Sequence, residues 1–425
     1  MRSGGYTRPR IFSHCVEGKM QHFNPEQSLV EIRREFGEHG DVNPSVSRSS
    51  TFTVMDPDTM PQLFKGIKGP EAGGYYLYGR HGNPTVRVLA RYLSAMEETE
   101  AGLCTASGMS AISCALMQSC QNGDHIVASN TIYGGTHALL NELFPEMGIS
   151  VTFVNATNLS AVAAAVTDKT RVIYVETIGN PTLQVCDIPA LSLLSRKKGL
   201  RLIVDNTFSP MIFSPARLGA DIVVYSLSKF INGSSDSIAG AICADNNFIH
   251  KLLDLHTGRA MLLGPTMDSR VAFDLIQRLA NLGLRMREHG RRALAIASRL
   301  SDLGVAVRYP GLPSHPQHPI FNSMMNDGYG YGGMLTIDCK TQEKAHKLMS
   351  VLQNQERFGL IAVSLGYYDT LMSCSGSSTA SEISSENQQA MGLSPGLLRM
   401  SVGITGSLES RLEQISRAVA AVGLP

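Results

Sequence analysis

Between about residues 100 and 250, short apolar runs rich in β-branched side chains alternate with helical patterns. This alternation is typical of βαβ units and predicts a mostly parallel sheet. The runs are almost continuously apolar, which favours strands that helices cover on both faces. The predicted strands span residues 125–129, 171–176, 201–205, 221–226 and 240–244. The pattern therefore predicts an α/β fold with a large, doubly wound domain.

A second, smaller domain is predicted after this region. A long helical stretch over residues 268–303 could connect the two domains. The segments that follow predict strands at 333–338, 360–364 and 398–402 and helices at 342–352 and 408–422. The first 60 residues carry Pro and Gly breaks and little periodicity, which favours an arm over a core. We therefore predict an N-terminal arm (1–62), a large domain (63–268) and a C-terminal α/β domain (269–425).

The charge pattern indicates a protein whose partners are small molecules or copies of itself. The 425 residues include 37 Lys and Arg and 36 Asp and Glu, which gives a net charge of +1. Because these charges are spread along the chain, no long-range field would attract nucleic acid or anionic lipid. No apolar run approaches the roughly 18 residues that a membrane span requires. We expect no nucleic-acid or membrane partner.

The eight cysteines lie far apart, without a CxxC pair or a Cys/His spacing typical of metal sites. They are predicted to be reduced thiols in the core, and no metal is expected. The first 20 residues hold Arg2, Arg8, Arg10 and Lys19 against Glu17, which weakly resembles a transit peptide. They lack an amphipathic apolar face, so we expect a cytoplasmic protein.

Among the polar residues that end predicted apolar strands, three stand out: Glu176, Asp205 and Ser226. In open α/β sheets ligands bind beyond the carboxyl ends of the strands, so these residues are candidates for a site. Taken alone, Asp205 could equally be a loop cap. Lys229, however, follows Asp205 by about 24 residues, roughly one βαβ repeat, so both should meet at one edge of the sheet.

The segment Ser226-Leu-Ser-Lys229 places two hydroxyls and an amine at the end of its strand. The hydroxyls could hold a phosphate, and the amine could hold a carbonyl group. A partly buried lysine loses its proton readily, which a Schiff-base nucleophile requires. The segment therefore predicts a site for a ligand that carries both a phosphate and a carbonyl group.

Two further segments could contribute to such a site. Thr105-Ala-Ser-Gly-Met109 opens a predicted helix, and the N-terminus of a helix binds phosphate through its amides and its dipole. Gly108 would let the anion approach closely, although simple packing is an alternative reading of this turn. Tyr133 offers an aromatic face and a phenol at the start of another helix, with a buried core tyrosine as the alternative.

Together these residues resemble the γ-subfamily of fold-type I pyridoxal-phosphate enzymes, the Cys/Met metabolism family, over roughly residues 45–420. The most specific matches are Asp205-Asn-Thr-Phe208, Ser226-Leu-Ser-Lys229 and Tyr78-Gly-Arg80-His-Gly-Asn-Pro-Thr85. The resemblance implies the fold-type I architecture and pyridoxal 5′-phosphate as the cofactor. It also implies a homo-oligomer with shared active sites, at least a dimer and usually a tetramer built as a dimer of dimers.

The resemblance assigns roles to residues of this chain. It implies that Lys229 carries the cofactor as a Schiff base, that Asp205 pairs with the pyridine nitrogen, and that Tyr133 stacks on the ring; these three form the catalytic set. The other cofactor-binding residues would be Gly108, Met109, Thr207, Ser226 and Ser228 from one subunit, with Tyr78 and Arg80 from its neighbour. The residues implied to bind the substrate carboxylate are Asn180, Ser364 and Arg399.

The chemistry of these side chains agrees with those roles. An anionic Asp205 would favour the protonated pyridine, which is the better electron sink. Once the substrate amine displaces it, Lys229 becomes a free base that could move protons from Cα and then Cβ. Tyr133 could protonate a departing sulfur, and Arg399 could grip a carboxylate with two hydrogen bonds. These roles predict bond breaking at the γ-carbon of an amino acid.

Four stretches are more similar to plant-type methionine γ-lyases than to the cystathionine enzymes: residues 36–40, 51–58, 261–267 and 367–382. This similarity implies a lyase that converts methionine, or a related γ-substituted amino acid, to 2-oxobutanoate, ammonia and a thiol. Gly135 stands where bacterial methionine γ-lyases carry a cysteine, which implies a wider pocket.

Several alternatives use the same residues. A wider pocket could accept cystathionine, an O-acylhomoserine or canavanine, so cystathionine γ-lyase and canavanine γ-lyase are both possible. An O-acylhomoserine sulfhydrylase or cystathionine γ-synthase would instead capture the intermediate with a thiol. A cofactor-binding regulator without turnover would need neither a proton carrier nor a carboxylate clamp. A Rossmann dehydrogenase would require a GxGxxG run that opens a helix after the first strand, and no such run is present there.

Overall fold

A computed structural model describes residues 15–16, 19–20, 23–33, 40–65, 67–70, 75–375 and 394–424 of the chain. Of the four stretches that resemble plant-type methionine γ-lyases, residues 36–39 and 376–382 lie outside the described residues. Within these ranges, none of the helices combines the length and the apolar character that crossing a bilayer requires.

The larger sheet has seven strands among the described residues, and six of them run in the same direction. They are β3 (Ala101–Thr105), β4 (His125–Ser129), β5 (Ser150–Val154), β6 (Thr170–Glu176), β7 (Arg201–Asp205), β8 (Ile222–Ser226) and β9 (Gly240–Ala244); a separate hairpin joins β1 (Cys15–Val16) and β2 (Lys19–Met20). The order across the sheet is β3-β9-β8-β7-β6-β4-β5, and only β9 is antiparallel to its neighbours. The predicted mostly parallel α/β sheet is confirmed.

Both faces of this sheet are covered. Along β6, Val172 and Tyr174 join one apolar cluster, whereas Ile173 and Val175 join another. Because successive strand residues point to opposite faces, the two clusters lie on opposite sides of the sheet. The helices that build these two layers and their connections are α1 (Pro25–Ile32), α2 (Met60–Phe64), α3 (Pro84–Glu97), α4 (Gly108–Ser119), α5 (Gly134–Ala138), α6 (Phe144–Glu146), α7 (Leu159–Ala165), α8 (Ile188–Lys198), α9 (Asn246–Leu252), α10 (Arg259–Leu263) and α11 (Ser269–Leu279). The core is therefore doubly wound, as the apolar runs predicted.

The smaller sheet has its own apolar cluster, drawn from residues between Ala293 and Leu424. Its strands are β10 (Val307–Arg308), β11 (Met334–Asp338), β12 (Leu360–Ile361), β13 (Leu371–Cys374) and β14 (Leu397–Ser401), in the order β10-β11-β14-β13-β12. The helices of this half are α12 (Leu282–Asp302), α13 (His318–Met324), α14 (Gln342–Ser350) and α15 (Leu408–Val422). The chain thus combines a large mostly parallel sheet with a smaller second sheet.

Two predicted elements differ from the structure. The single helix expected over 268–303 is divided at Ala280 and Asn281, where α11 ends and α12 begins. The strand expected over 360–364 ends at Ile361, apart from one further hydrogen bond from the Ala362 amide to the Met372 carbonyl. The chain then leaves the sheet and turns at Gly366, whose φ of 78° favours glycine. This turn packs against the backbone of Lys229, so the shortened strand delivers the segment to the carboxyl edge of the larger sheet.

Candidate active site

The carboxyl ends of the central strands bring the predicted residues together. Glu176 and Asp205 lie opposite each other in the register of β6 and β7. Ser226 ends β8 and pairs with Gly240 at the start of β9. The three strand-end residues therefore line one edge of the larger sheet, as expected from the parallel topology.

Lys229 lies in the turn that follows β8. Ser228 fixes this turn, since its Oγ accepts a hydrogen bond from the Ala239 amide at 2.9 Å. The half-buried Lys229 donates from Nζ to Ser364 Oγ at 3.2 Å. Burial, and secondarily the positive charge of Arg399, lower the pKa of Lys229. The amine is therefore neutral in a larger fraction of molecules than an exposed lysine would be.

The N-terminus of α4 lies directly against Ser226. Ser107 caps this helix by accepting a hydrogen bond from the Ser110 amide at 3.1 Å. A Cβ atom added at Gly108 would lie only 2.7 Å from the Cβ of Ser226, so the close approach requires glycine. The Ser226 amide in turn donates to Thr207 Oγ1 at 2.8 Å. Since first-turn amides have no acceptor within a helix, this cradle has the chemistry of a phosphate site.

Asp205 is a buried carboxylate with 6% of its surface exposed. Its Oδ1 accepts a hydrogen bond from the Thr207 amide at 2.9 Å, and its Oδ2 accepts one from the Tyr174 hydroxyl at 3.5 Å. Burial raises the pKa of Asp205, and the hydrogen bonds from Thr207 oppose that rise. Within the part of the chain that the structure describes, Asp205 forms no salt bridge.

A protonated pyridine nitrogen fits this environment. It would give Asp205 the cation that its surroundings do not provide, and it would favour the anionic carboxylate expected from the sequence. The buried acid at one end and the amide cradle beside Ser226 at the other match the two polar ends of pyridoxal phosphate.

The residues predicted to bind the substrate carboxylate form a contact around Arg399. This arginine, on β14, is 3% exposed, and burial lowers its pKa to about 10, so it remains a cation at neutral pH. It donates from Nη1 to Asn180 Oδ1 at 3.1 Å and from Nη2 to the Ser364 carbonyl at 3.3 Å. The smaller sheet therefore supplies a buried cation beside the lysine of the larger sheet.

Tyr133 stands at the entrance to α5, with 44% of its surface exposed. Its amide donates to Glu176 Oε1 at 2.7 Å, which fixes the backbone at this point. A Cβ atom at Gly135 would lie 2.6 Å from a ring carbon of Tyr133 and 3.4 Å from Met109 Sδ. A side chain at position 135 would therefore displace the tyrosine ring.

The last two predicted residues lie on the surface of the chain. Tyr78 is 46% exposed, and Arg80 donates from Nη1 to the Met261 carbonyl at 2.9 Å. Their predicted role in a neighbouring subunit's phosphate site needs a second copy of the chain.

Residues 27–414 match the family described as Cys/Met metabolism PLP-dependent enzymes. The chain belongs to that family. Pyridoxal 5′-phosphate, the cofactor expected from the sequence, is thereby confirmed for this Cys/Met metabolism enzyme.

Known proteins similar to this Cys/Met metabolism enzyme include two lyases. The chain is 54% identical to "Methionine gamma-lyase" of Arabidopsis thaliana over 397 residues, 93% of this chain and 90% of the relative. It is 37% identical to "L-methionine gamma-lyase" of Fusobacterium nucleatum subsp. polymorphum over 387 residues, 89% of this chain and 95% of the relative. These similarities bear out the PLP-dependent lyase class that the sequence predicted.

A solved structure agrees with the fold. Cystathionine gamma synthase from Xanthomonas oryzae pv. oryzae, in complex with aminoacrylate and cysteine, matches with a TM-score of 0.84 and 30% identity. The match covers 95% of this chain and 99% of that one. The fold-type I architecture is therefore confirmed.

Two residues of this enzyme's site were not assigned a role from the sequence. Glu176 was noted only as a strand end, but it accepts hydrogen bonds from the amides of both Tyr133 and Asn180. Tyr174 contacts Asp205 and sits in a run that is apolar throughout. The carboxylate that ends the strand was a usable signal for Glu176, whereas the pattern contained no signal for Tyr174.

The cysteines whose side chains the structure describes are all buried and free, and Cys15 is outside this set; they are Cys104, Cys114, Cys120, Cys186, Cys243, Cys339 and Cys374. Burial raises the thiol pKa of Cys114 to about 11 and that of Cys186 to about 12. These thiols are therefore unreactive core residues, as predicted. Among the same described residues, no group of three or more His, Cys, Asp or Glu could hold a metal ion.

Proposed function

We propose that this Cys/Met metabolism enzyme is a carbon–sulfur lyase that performs α,γ-elimination on L-methionine or a closely related γ-substituted amino acid. With methionine and water as substrates, the products would be methanethiol, ammonia and 2-oxobutanoate. The observation that carries the proposal is the contact from Lys229 through Ser364 to Arg399. It places the Lys229 amine, the proposed cofactor anchor, beside a buried cation that can bind a carboxylate. An amino acid carries an amino group, which would replace the lysine on the cofactor, and a carboxylate, which would bind the cation.

The proposed cofactor site uses the residues gathered at the carboxyl ends of the central strands. Lys229 would hold pyridoxal phosphate covalently, Asp205 its ring nitrogen and Tyr133 its ring face. Its phosphate would lie against Gly108, Met109, Ser226 and Ser228, with Thr207 supporting Ser226 and Asp205 through its own hydrogen bonds. When bound, the cofactor supplies the electron sink that stabilises negative charge at the substrate α-carbon.

Arg399 would bind and orient the substrate. Its hydrogen bonds to Asn180 and to the Ser364 carbonyl fix the guanidinium, which can then offer its remaining N–H groups to a carboxylate. A carboxylate held in this way leaves little freedom at Cα. The Cα–H bond would therefore lie within reach of the Lys229 amine.

Lys229 and Tyr133 would move the protons. Because burial and Arg399 lower its pKa, the Lys229 amine is more readily available as a base. It would accept a proton from Cα, give that proton up to the bound cofactor, and as a free base again accept one from Cβ. Loss of the Cβ proton allows the γ-carbon to release its sulfur. The phenol of Tyr133 would donate a proton to that sulfur, so that it leaves as a neutral thiol.

Methionine is the proposed substrate because two family members similar to this chain are named for it. The relatives from Arabidopsis thaliana and Fusobacterium nucleatum both carry the name methionine gamma-lyase. The glycine at position 135 lets the Tyr133 ring lie directly against the backbone of this segment. No side chain at position 135 borders the substrate, which is the reason to test larger γ-substituents, such as that of cystathionine, beside methionine.

We also propose a cytoplasmic homotetramer, built as a dimer of dimers in which Tyr78 and Arg80 complete the phosphate site of the neighbouring subunit. The exposed apolar side chains of Phe64, Leu262 and Leu263 support self-association. The Phe64 ring lies against the His81 ring, and Arg80 binds the Met261 carbonyl, so these side chains come from segments that contact the one carrying Tyr78 and Arg80. The proposed division is an arm over 1–62, a cofactor-binding domain over 63–268 and a C-terminal domain over 269–425. The separate apolar cluster of the smaller sheet supports a distinct C-terminal unit; its members begin at Ala293, while α11 packs in the cluster of the larger sheet.

Product analysis tests the proposed reaction. The cofactor-loaded protein is incubated separately with methionine, cystathionine, O-acetylhomoserine and canavanine, with and without added thiol. We expect 2-oxobutanoate and methanethiol from methionine without thiol. A new thioether that forms only when thiol is present would instead assign the protein to the γ-replacement enzymes. No turnover of any substrate, with cofactor bound, would favour a regulator.

A further inference from the structure

Glu176 joins two segments that carry proposed active-site residues. Its Oε1 accepts the Tyr133 amide at 2.7 Å, and its Oε2 accepts the Asn180 amide at 3.1 Å. Asn180 continues the contact, because its Oδ1 accepts a hydrogen bond from Arg399. One carboxylate thus links the segment of the stacking tyrosine to the segment of the carboxylate clamp.

The chemistry of this contact requires a carboxylate. Both incoming groups are donors, and each needs an acceptor oxygen. A glutamine at position 176 would have one acceptor oxygen, and its NH₂ group would face the second amide. A two-amide contact of this kind can be satisfied only by Glu or by the shorter Asp.

The position of Glu176 is costly for a residue that only caps loops. It is 6% exposed and lies opposite Asp205, a second buried acid, in the strand register. Burial and the negative charge of Asp205 raise the pKa of Glu176, and the two amides and Arg399 oppose that rise. Retaining a carboxylate beside another one indicates a role that a neutral cap could not fill.

The geometry points to Glu176 as a positioning residue that holds Tyr133 and Asn180 at a fixed separation, so that the cofactor-facing ring and the Arg399 clamp keep their relative orientation. The inference rests on the proposed function, since it takes its meaning from the roles of Tyr133 and Arg399. Substrate held by the clamp would then meet the cofactor at one reproducible geometry. An error of about 1 Å in such an alignment can reduce turnover by about a hundredfold.

The test compares Glu176→Gln with Asp221→Asn in the cofactor-loaded enzyme. Asp221 is the control because its carboxylate also accepts a backbone hydrogen bond, from the Leu202 amide to Oδ2 at 2.7 Å. It lies at the amino ends of β7 and β8, away from the candidate site. Five quantities are measured: kcat and KM for methionine, cofactor content, melting temperature, and the visible circular dichroism of bound pyridoxal phosphate. The circular dichroism reports the surroundings of the cofactor ring without requiring turnover.

For Glu176→Gln we expect kcat/KM to fall about tenfold or more at full cofactor content, with an altered visible circular dichroism. Asp221→Asn should keep the kcat/KM and the dichroism of the wild type. A Glu176→Gln enzyme with a lower melting temperature but an unchanged dichroism and kcat would overturn the inference and leave Glu176 a structural cap.

Two further outcomes are distinguishable. If the wild type releases no 2-oxobutanoate, the proposed function fails, and the dichroism of the variant still decides the positioning role. If Glu176→Gln does not fold, Glu176→Asp is tested instead. Aspartate keeps both acceptor oxygens, but its side chain is shorter by one methylene. An altered dichroism in that variant supports the inference, and an unaltered one contradicts it.

Discussion

In the larger sheet, the acidic residues at the amino ends of the parallel strands differ in their pairing from those at the carboxyl ends. At the amino ends, Asp124 forms a salt bridge with Arg171 at 3.1 Å and accepts the Gln121 amide. At the carboxyl ends, Glu176 and Asp205 are buried side by side, and within the described residues neither forms a salt bridge. The first arrangement balances charge within the protein. The second leaves buried negative charge that a bound ligand can balance. This pattern is expected at a functional site.

The same difference applies to the basic residues. Arg171 is about half exposed, so its charge is solvated. Burial lowers the pKa of both Lys229 and Arg399 at the carboxyl edge. If this account is correct, substitutions at the two ends of the strands should affect different properties: catalysis at the carboxyl ends and only folding stability at the amino ends.

The largest effect is expected from Lys229→Ala. Loss of the amine that we propose as cofactor anchor and proton carrier should lower 2-oxobutanoate formation at least about a thousandfold. The visible absorbance of a protein-bound Schiff base should also disappear. Lys198→Ala, an exposed lysine near the amino end of β7, is the control and should leave both unchanged. A Schiff-base band that persists in Lys229→Ala would show that the anchor is wrong.

A mixing experiment tests whether the carboxyl edge is completed by a second chain. Arg80→Ala and Lys229→Ala are each expected to be nearly inactive alone. In a mixed dimer, one site would combine the intact Lys229 of one chain with the intact Arg80 of the other. Unfolding and refolding the two variants together should therefore restore activity that neither has alone. Absence of any recovery, when mixed oligomers are shown to form, would place Arg80 in the site of its own chain.

Arg399→Lys is expected to have an intermediate effect. Lysine keeps the charge but loses the planar pair of donors, so kcat/KM for methionine should fall about 10- to 100-fold, mainly through KM. Arg171→Lys makes the same replacement at the amino ends and should leave kcat/KM unchanged. Equal losses in the two variants would argue against a clamp at Arg399.

The smallest expected effect concerns the stability of the cofactor-free protein. Burial raises the pKa of Asp205, so the folded protein keeps this proton at pH values where the unfolded chain has lost it. This contribution makes stability fall as pH rises above the unfolded value of about 3.9. Asp205→Asn removes it and should increase the free energy of unfolding at neutral pH, by on the order of 1 kcal/mol.

Asp124→Asn should do the opposite, because it breaks a pair instead of removing an unbalanced charge. A decrease in the free energy of unfolding of about 1 kcal/mol or less is expected. Denaturant unfolding of both variants as a function of pH measures the two effects. Destabilisation of similar size in both would contradict the contrast between the two ends of the sheet.

The central strands were predictable because they are buried on both faces. The apolar runs at 125–129, 201–205 and 240–244 have the predicted bounds in the structure. The two strands of this sheet that the pattern did not reveal are β3 and β5, which lie at its two edges. Edge strands are partly exposed, as the alternating burial of β5 shows, so their sequences contain less of the apolar signal.

The candidate site, like the sheet, was predictable only in part. Residues that end apolar strands, such as Asp205 and Ser226, can be found from the pattern because parallel strands deliver their ends to one edge. Arg399 contacts Asn180 across 219 residues of sequence, through a sheet whose placement no local pattern specifies. Family resemblance alone suggested that pair, and the contacts of Glu176 became visible only in the fold.

The most direct test of the central claim is to convert methionine in ²H₂O and to locate deuterium in the 2-oxobutanoate by mass spectrometry. If Lys229 removes protons from Cα and Cβ before the sulfur leaves, the γ-carbon becomes a methyl group by taking a hydrogen that exchanges with solvent. We therefore expect deuterium at C4 and at C3 of the product, together with methanethiol. No 2-oxobutanoate, or a product without deuterium at C4, would contradict α,γ-elimination at this site.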